Sequence, residues 1–191
     1  MELIKHLGLN SSKLISLDEL SQITVISGDT PKPAATLFVL KQIENTPHVL
    51  LTQRSKSLPI HAGEVALPGG MYESQDKSLV ETALREANEE VGIQSDQIHV
   101  IGGIGPLQTV TQFLVWTIIS VAKDSNLLLS KNEEIETFFW IPLNFLQDPK
   151  NLIDGDGVWN GITYHHRYFE YQGFRIWGVT AKIIRNFLEL L

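Results

Sequence analysis

SLVETALREANEEVGI, residues 78–93, reads as one helix with both of its ends marked. Ser78 followed three positions later by Glu81 is a capping box, in which the serine oxygen takes an orphan backbone N–H and the glutamate reaches back to the helix start. Val80, Ala83, Leu84, Ala87 and Val91 recur at the spacing of one helical face. Gly92 stands where a left-handed C-terminal cap belongs. The same stretch carries Arg85, Glu86, Glu89 and Glu90. On a wheel advancing about 100° per residue from Val80, Glu86 and Glu90 fall at roughly 240° and 280°, beside the apolar stripe, and Glu89 at roughly 180°.

Carboxylates four residues apart on a helix repel each other unless something positive compensates. A divalent cation with hard oxygen ligands, completed by water and phosphate, is one compensator. The commoner reading of such a face is a solvated one, with Arg85 paired to Glu81 at i,i+4. What distinguishes this helix is the loop before it, LPIHAGEVALPGG, which ends in Gly69-Gly70 and brings backbone close to any ligand the helix holds. Asp76 lies between loop and helix as a near-cap residue.

Working outward, AATLFVLK (34–41) and HVLLTQRS (48–55) read as strands, with Asn45-Thr46-Pro47 as the turn between them. IHVIGGI (98–104) and FLVWTIISV (113–121) are further strands, and FFWIPL (138–143) leads into a short turn or helix after Pro142. ITYHHRYFEY and FRIWG form a hairpin around Gln172-Gly173, and VTAKIIRNFLELL closes as an amphipathic helix with Thr180 as a polar group near its start. Residues 1–30 read as an extension packed on the domain, with a short helix at LDELSQI and a break at Gly28 to Pro31. Residues 31–191 then read as a single domain. Strands, helix, strands, helix predicts an α/β fold with a mixed sheet covered by helices, without fixing its topology.

The 191 residues are 43% hydrophobic, enough for a core. A formal charge of −7 argues against nucleic-acid binding, which wants a basic face. The absence of cysteine removes disulfides, thiolate metal sites and thiol nucleophiles, and fits a reducing compartment. The start, MELIKHLGLNSSKL, lacks the apolar run of a secretory signal, and no stretch approaches the roughly 20 apolar residues of a membrane helix. A cytoplasmic protein without membrane partners is the expectation. The six histidines are scattered without an H-E-x-x-H spacing, and His165-His166, adjacent on a strand, face opposite ways, so zinc hydrolysis is a weak reading.

With these features in place, the chain resembles the Nudix hydrolases, whose signature is G-x5-E-x7-R-E-U-x-E-E-x-G-U with U aliphatic. Arg85-Glu86-Ala87-Asn88-Glu89-Glu90-Val91-Gly92-Ile93 matches the second half completely, with Ala87 in the apolar place. In the first half, the residue at the glutamate's distance from Gly70 is Asp76, and the gap to Arg85 is one residue longer. That expansion is similar to the coenzyme A diphosphatase branch. So is the run Leu50-Leu51-Thr52-Gln53-Arg54-Ser55 followed by His61-Ala62-Gly63-Glu64-Val65-Ala66-Leu67-Pro68-Gly69-Gly70, and so is Ile176-Trp177-Gly178-Val179-Thr180-Ala181. Two positions depart from the branch: Leu67 stands for a usual Phe, and Pro59 for a usual Arg that could serve a phosphate.

The resemblance implies a Nudix-type α/β/α sandwich. It implies Mg²⁺- or Mn²⁺-dependent hydrolysis of a small nucleotide-derived diphosphate, coenzyme A or a derivative by branch. ADP-ribose, NADH and dinucleoside polyphosphates are the alternatives, and a nucleotide-binding module without catalysis is a different class. It also implies Glu86, Glu89 and Glu90 as metal ligands and catalytic residues, Glu86 doubling as base, with a Gly70 carbonyl completing the shell and Arg85 orienting the carboxylates. Of the distant Glu133 and Glu134, Glu134 is the preferred extra ligand; a solvated acidic loop is the plainer reading of both. Arg54, His61, Gly69 and Gly70 are the implied substrate contacts, against a surface ion pair for Arg54 and a loop-stabilising role for His61. Homodimers are frequent in the family, though nothing in the sequence marks an interface.

Overall fold

We describe the protein from a computed structural model that defines residues 2–23, 31–124, 127, 129–159 and 162–191. In chain order the elements are α1 (Glu2–Leu7), α2 (Leu17–Gln22), β1 (Lys32–Ile43), β2 (Thr46–Arg54), β3 (Val65–Ala66), β4 (Gly69–Met71), α3 (Leu79–Val91), β5 (Ile98–Gln108), β6 (Phe113–Ala122), β7 (Ile135–Pro142), α4 (Leu143–Gln147), β8 (Leu152–Trp159), β9 (Ile162–Tyr171), β10 (Phe174–Ile176) and α5 (Gly178–Leu188). The break expected at Gly28–Pro31 falls mainly on residues outside the described set.

β1 and β6 are apolar on both faces, so each must be covered on both sides. They pair in parallel at the centre of a seven-stranded mixed sheet whose other pairings are antiparallel. Ala35, Leu37 and Val39 of β1 meet Leu79, Ala83, Ala87 and Val91 of α3 on one face, while Phe38 and Leu40 meet Ile183, Ile184 and Phe187 of α5 on the other. This alternation is the period-2 consequence of strand geometry, and it yields the expected α/β/α sandwich. Leu20 of α2 is fully buried in the α3-side core, and Ile15 bridges Gly103 of β5, so residues 2–23 lie against the domain.

One irregularity in the sheet matters for function. β1 and β2 pair only over Leu40–Ile43 and Thr46–Val49. Past that point they part, and residues 65–71 fill the gap, β3 pairing with β2 and β4 with β1. The loop-rich stretch of the sequence therefore hides two short strands, recognisable only by their partners. They deliver Gly69 and Gly70 to the C-terminal half of α3, against Glu86 and Glu90.

Two expectations need correction, and two further features were not foreseen. The β1–β2 turn is Glu44-Asn45, both with positive φ (45° and 65°), and Thr46 and Pro47 belong to β2. Two residues with φ above zero match the twist of a two-residue hairpin, which Thr-Pro could not supply. β8 (LIDGDGVW) is a strand that its glycines and aspartates disguise; it pairs along β9, and with β10 forms a separate three-stranded sheet. Thr180 does not cap α5, whose N-cap is Trp177 without a side-chain bond; its hydroxyl donates instead to the Val65 carbonyl at 3.1 Å. Glu81 does not return to Ser78: it accepts from the Lys77 N–H at 2.6 Å, so only the Ser78 half of the capping box forms.

Candidate active site

The N-terminal cap by Ser78 and the left-handed Gly92 cap hold α3 as the sequence predicts. Its register then puts Glu90 almost wholly inside, Glu86 at the border and Glu89 outside, with side-chain exposures of 7%, 17% and 54%. The facing wall is the Gly69-Gly70 backbone. Gly69 adopts φ 152°, and a β-carbon there would collide with the Ala35 carbonyl and Thr36 of β1. At Gly70 a β-carbon would fall 2.5 Å from the Glu86 carboxyl carbon, so the carboxylate occupies the space the missing side chain leaves. The Gly69 N–H donates to Glu90 Oε2 at 3.1 Å.

Arg85 does not form the surface pair with Glu81. Its Nε and Nη2 donate to the two oxygens of Asp76 at 3.0 and 3.1 Å, Nη2 also to the Met71 carbonyl at 3.0 Å, and Nη1 to Glu86 at 3.0 Å and Glu89 at 3.2 Å. Asp76 is 4% exposed and also accepts from Thr82 Oγ1 and the Glu73 N–H. Burial pushes the Asp76 carboxyl up, yet the bonds from Arg85, Glu73 and Thr82 outweigh it and leave the group below its ordinary value. The Asp76 hydrogen bond, chiefly, raises the Arg85 guanidinium further. Asp76 is thus the socket for Arg85, a role the sequence reading did not give it. The signal available was its position at the signature acid's distance from Gly70; the nine-residue loop-to-helix separation from Arg85 carries no period that would predict the contact.

Glu134, far along the chain, also arrives. The Ser55 N–H donates to the Glu134 carbonyl at 2.7 Å, Asn132 N–H to the Glu90 carbonyl at 3.2 Å and Glu134 N–H to Asn132 Oδ1 at 3.0 Å. These bonds tie the 132–134 loop to both α3 and the end of β2. Arg54 stands between the acids, with Nη1 3.8 Å from Glu90 Oε1 and Nη2 3.8 Å from Glu134 Oε2. His61, at φ 58°, lies 3.0 Å from Glu64 and forms no hydrogen bond or ion pair with Glu86, Glu90 or Glu134. Glu133 is exposed and outside this set. His165 faces Asp154 and Asp156, while His166 faces Arg175 and Trp177, so the two rings do not converge.

Electrostatically the acids are under-compensated. Burial raises Glu90 to about 7, helped by Glu86 and Glu134 and opposed by the Gly69 N–H and Arg54. Burial also raises Glu86, opposed by Arg85 and helped by Glu89 and Glu73. Among the described residues no three acidic or imidazole groups already close into a finished metal cage. The donor set nevertheless fits a hard dication. Two partly buried carboxylates one helical turn apart, beside a backbone approached without side chains, leave positions open for water and phosphate, as Mg²⁺-type ions require.

The chain matches the NUDIX domain family over residues 30–158. It is 34% identical over 188 residues to the Nudix hydrolase NudL of Yersinia enterocolitica, covering 98% of this chain and 96% of that one. It is 36% identical over 143 residues to the NudL of Photorhabdus laumondii, covering 75% and 76%. Among solved structures, the Nudix hydrolase RenU of M. smegmatis superposes with TM-score 0.54 at 24% identity over 62% of this chain and 74% of that one. A Deinococcus radiodurans protein gives TM-score 0.54 at 14% identity over 91% and 96%. The structural likenesses speak for the fold. The family match and the relatives' identity say more, and they agree with the arginine-anchored acidic helix found against the glycine pair: the chain belongs to the Nudix hydrolases.

Proposed function

We propose that this Nudix hydrolase is a Mg²⁺- or Mn²⁺-dependent diphosphatase of coenzyme A or its derivatives, releasing 3′,5′-ADP and 4′-phosphopantetheine. The observation that carries the metal-dependent part is the buried Glu86–Glu90 pair packed against Gly69-Gly70, with both carboxyls raised by burial. Glu86 and Glu90 would hold the ion, with a Gly70 carbonyl, and Glu89 and Glu134 as further oxygen donors. When bound, the ion would neutralise diphosphate charge and lower the pKa of a water, so that the water gives up a proton and becomes a nucleophile toward phosphorus.

The protein's own part is positional. Asp76 fixes Arg85, and Arg85 fixes the Glu86 carboxylate. Glu86, raised by burial, is suited to take a proton from the attacking water. Arg54 offers a guanidinium to a phosphate oxygen, and His61 on the neighbouring loop offers an imidazole to the substrate.

Coenzyme A is favoured by the Leu50–Ser55 and His61–Gly70 motif, which the fold joins directly, since β3 pairs with β2 and the Arg54 N–H donates to the Glu64 carbonyl. Two residues favour another diphosphate. Leu67 is buried in the core in place of the branch's Phe, and Pro59 leaves an exposed loop position without its cation. A panel of coenzyme A, acyl-coenzyme A, ADP-ribose, NADH and dinucleoside polyphosphates with Mg²⁺ or Mn²⁺ tests both. Intact coenzyme A alongside cleaved ADP-ribose rejects the coenzyme A assignment, and ligand-induced stabilisation without turnover rejects catalysis.

A further inference from the structure

The site contains two arginines held in very different ways. Arg85 makes five hydrogen bonds, all between 3.0 and 3.2 Å. Arg54 reaches Glu90 and Glu134 only at 3.8 Å, beyond hydrogen-bond length, and its Nε is buried with no hydrogen-bond partner. A structural arginine–carboxylate pair closes to about 2.7–2.9 Å with parallel bonds. Arg54 meets the two acids through charge and not through hydrogen bonds.

The backbones on either side are tied by hydrogen bonds. Ser55 N–H to Glu134 O, and Asn132 N–H to Glu90 O, pin both acids' main chains. Glu90 is nearly enclosed, so the parts able to move are the side chains of Arg54, about a quarter exposed, and Glu134, more than half exposed. The neighbourhood carries the carboxylates of Glu86, Glu90 and Glu134, and Arg85 is committed to Asp76 and Glu86.

We propose that Arg54 is the metal-free protein's internal stand-in for the cation, bridging Glu90 and Glu134 until a divalent ion claims Glu90 and displaces it. The inference rests on the reading of Glu86 and Glu90 as cation ligands. It assigns Arg54 a positioning role before substrate arrives: it keeps Glu90 and Glu134 from repelling, competes with the ion, and on release carries its donors to the place where an anionic substrate must bind.

The test uses Mn²⁺ alone, without substrate, with free ion read by electron paramagnetic resonance. Arg54→Gln should bind Mn²⁺ at least 10-fold more tightly than wild type. Lys56→Gln removes the same charge two residues away from an exposed side chain, and should change affinity less than 2-fold. Binding by Arg54→Gln no tighter than wild type, or an equal gain in Lys56→Gln, overturns the proposal. A second readout needs no variant. Modification of wild-type Arg54 by phenylglyoxal, followed by mass spectrometry, should speed up at least 3-fold when Mn²⁺ is added; an unchanged or slower rate overturns it even if Arg54→Gln does not fold. Equal Mn²⁺ binding by wild type and Glu90→Gln would instead remove the underlying metal site.

Discussion

Arg85 and Asp76 face each other as a two-pronged pair, Nε to Oδ1 at 3.0 Å and Nη2 to Oδ2 at 3.1 Å, with the Asp76 side chain only 2% exposed. The pair couples the loop before α3 to the residue that holds Glu86, so stability and the proposed chemistry meet there. Asp76→Asn would take away the charge of the two-pronged partner and leave Arg85 with Glu86 and Glu89 through Nη1 only, so the loss should approach that of breaking a buried pair, about 3–5 kcal/mol. Urea unfolding should show that loss together with a fall in kcat; a variant of wild-type stability would show that the pair is dispensable.

Gly70→Ala separates geometry from stability. Its β-carbon would fall 2.5 Å from the Glu86 carboxyl carbon, and its three nearest atoms all belong to that side chain. Displacement of a reacting group by about 1 Å can cost on the order of 100-fold in rate. Activity should drop by about that factor with a nearly native melting temperature, and unchanged kcat would place Glu86 outside the chemistry.

Glu90→Gln keeps the shape and the Gly69 N–H bond but removes the charge. Loss of a group that merely orients a metal ligand already costs about 10–100-fold. Mg²⁺-dependent turnover by the variant should therefore fall by about 100-fold or more in a steady-state assay. Full activity at saturating Mg²⁺ would contradict the proposed ligand role.

The raised Glu90 also gives metal-free stability a definite pH slope. Below its ordinary value of 4.5 the group is protonated in both folded and unfolded chains and carries no penalty. As pH rises toward about 7 the unfolded chain ionises first, so the neutral form's advantage is lost progressively and is gone once the folded group ionises. The window is about pH 4.5 to 7, and the contribution is at most on the order of 3 kcal/mol. Glu86 adds in the same direction. Asp76, lowered in the fold, works the opposite way: its contribution is present above its ordinary value and fades as pH falls through the folded one. Unfolding in EDTA at pH 5 and 8 should show the fall. Mn²⁺ should reverse it at pH 8, and Glu90→Gln should flatten it; a flat wild-type profile counts against an uncompensated buried Glu90.

How much of this was readable beforehand differs by element. α3 was legible end to end, because its cap, apolar period and terminal glycine are local signals, and so were the acids it carries. The strand at β8 was not, since its glycines and aspartates suit a turn until β9 pairs with them. The Asp76 partner of Arg85 was not legible, because helix spacing offers only acids on α3 itself, while the loop supplies a buried one.

The amino-acid order alone determined that residues 79–91 form a helix with Glu86 and Glu90 at the edge of its buried face, because helical periodicity depends only on local spacing. Only the tertiary structure decided what those acids meet. The gap between β1 and β2 brings Gly69 and Gly70 against them, and the antiparallel pairing of β2 with β7 sets Arg54, at the end of β2, beside Glu134, just before β7. Contacts between residues distant along the chain depend on how strands pair and separate, and no local pattern in the sequence records that.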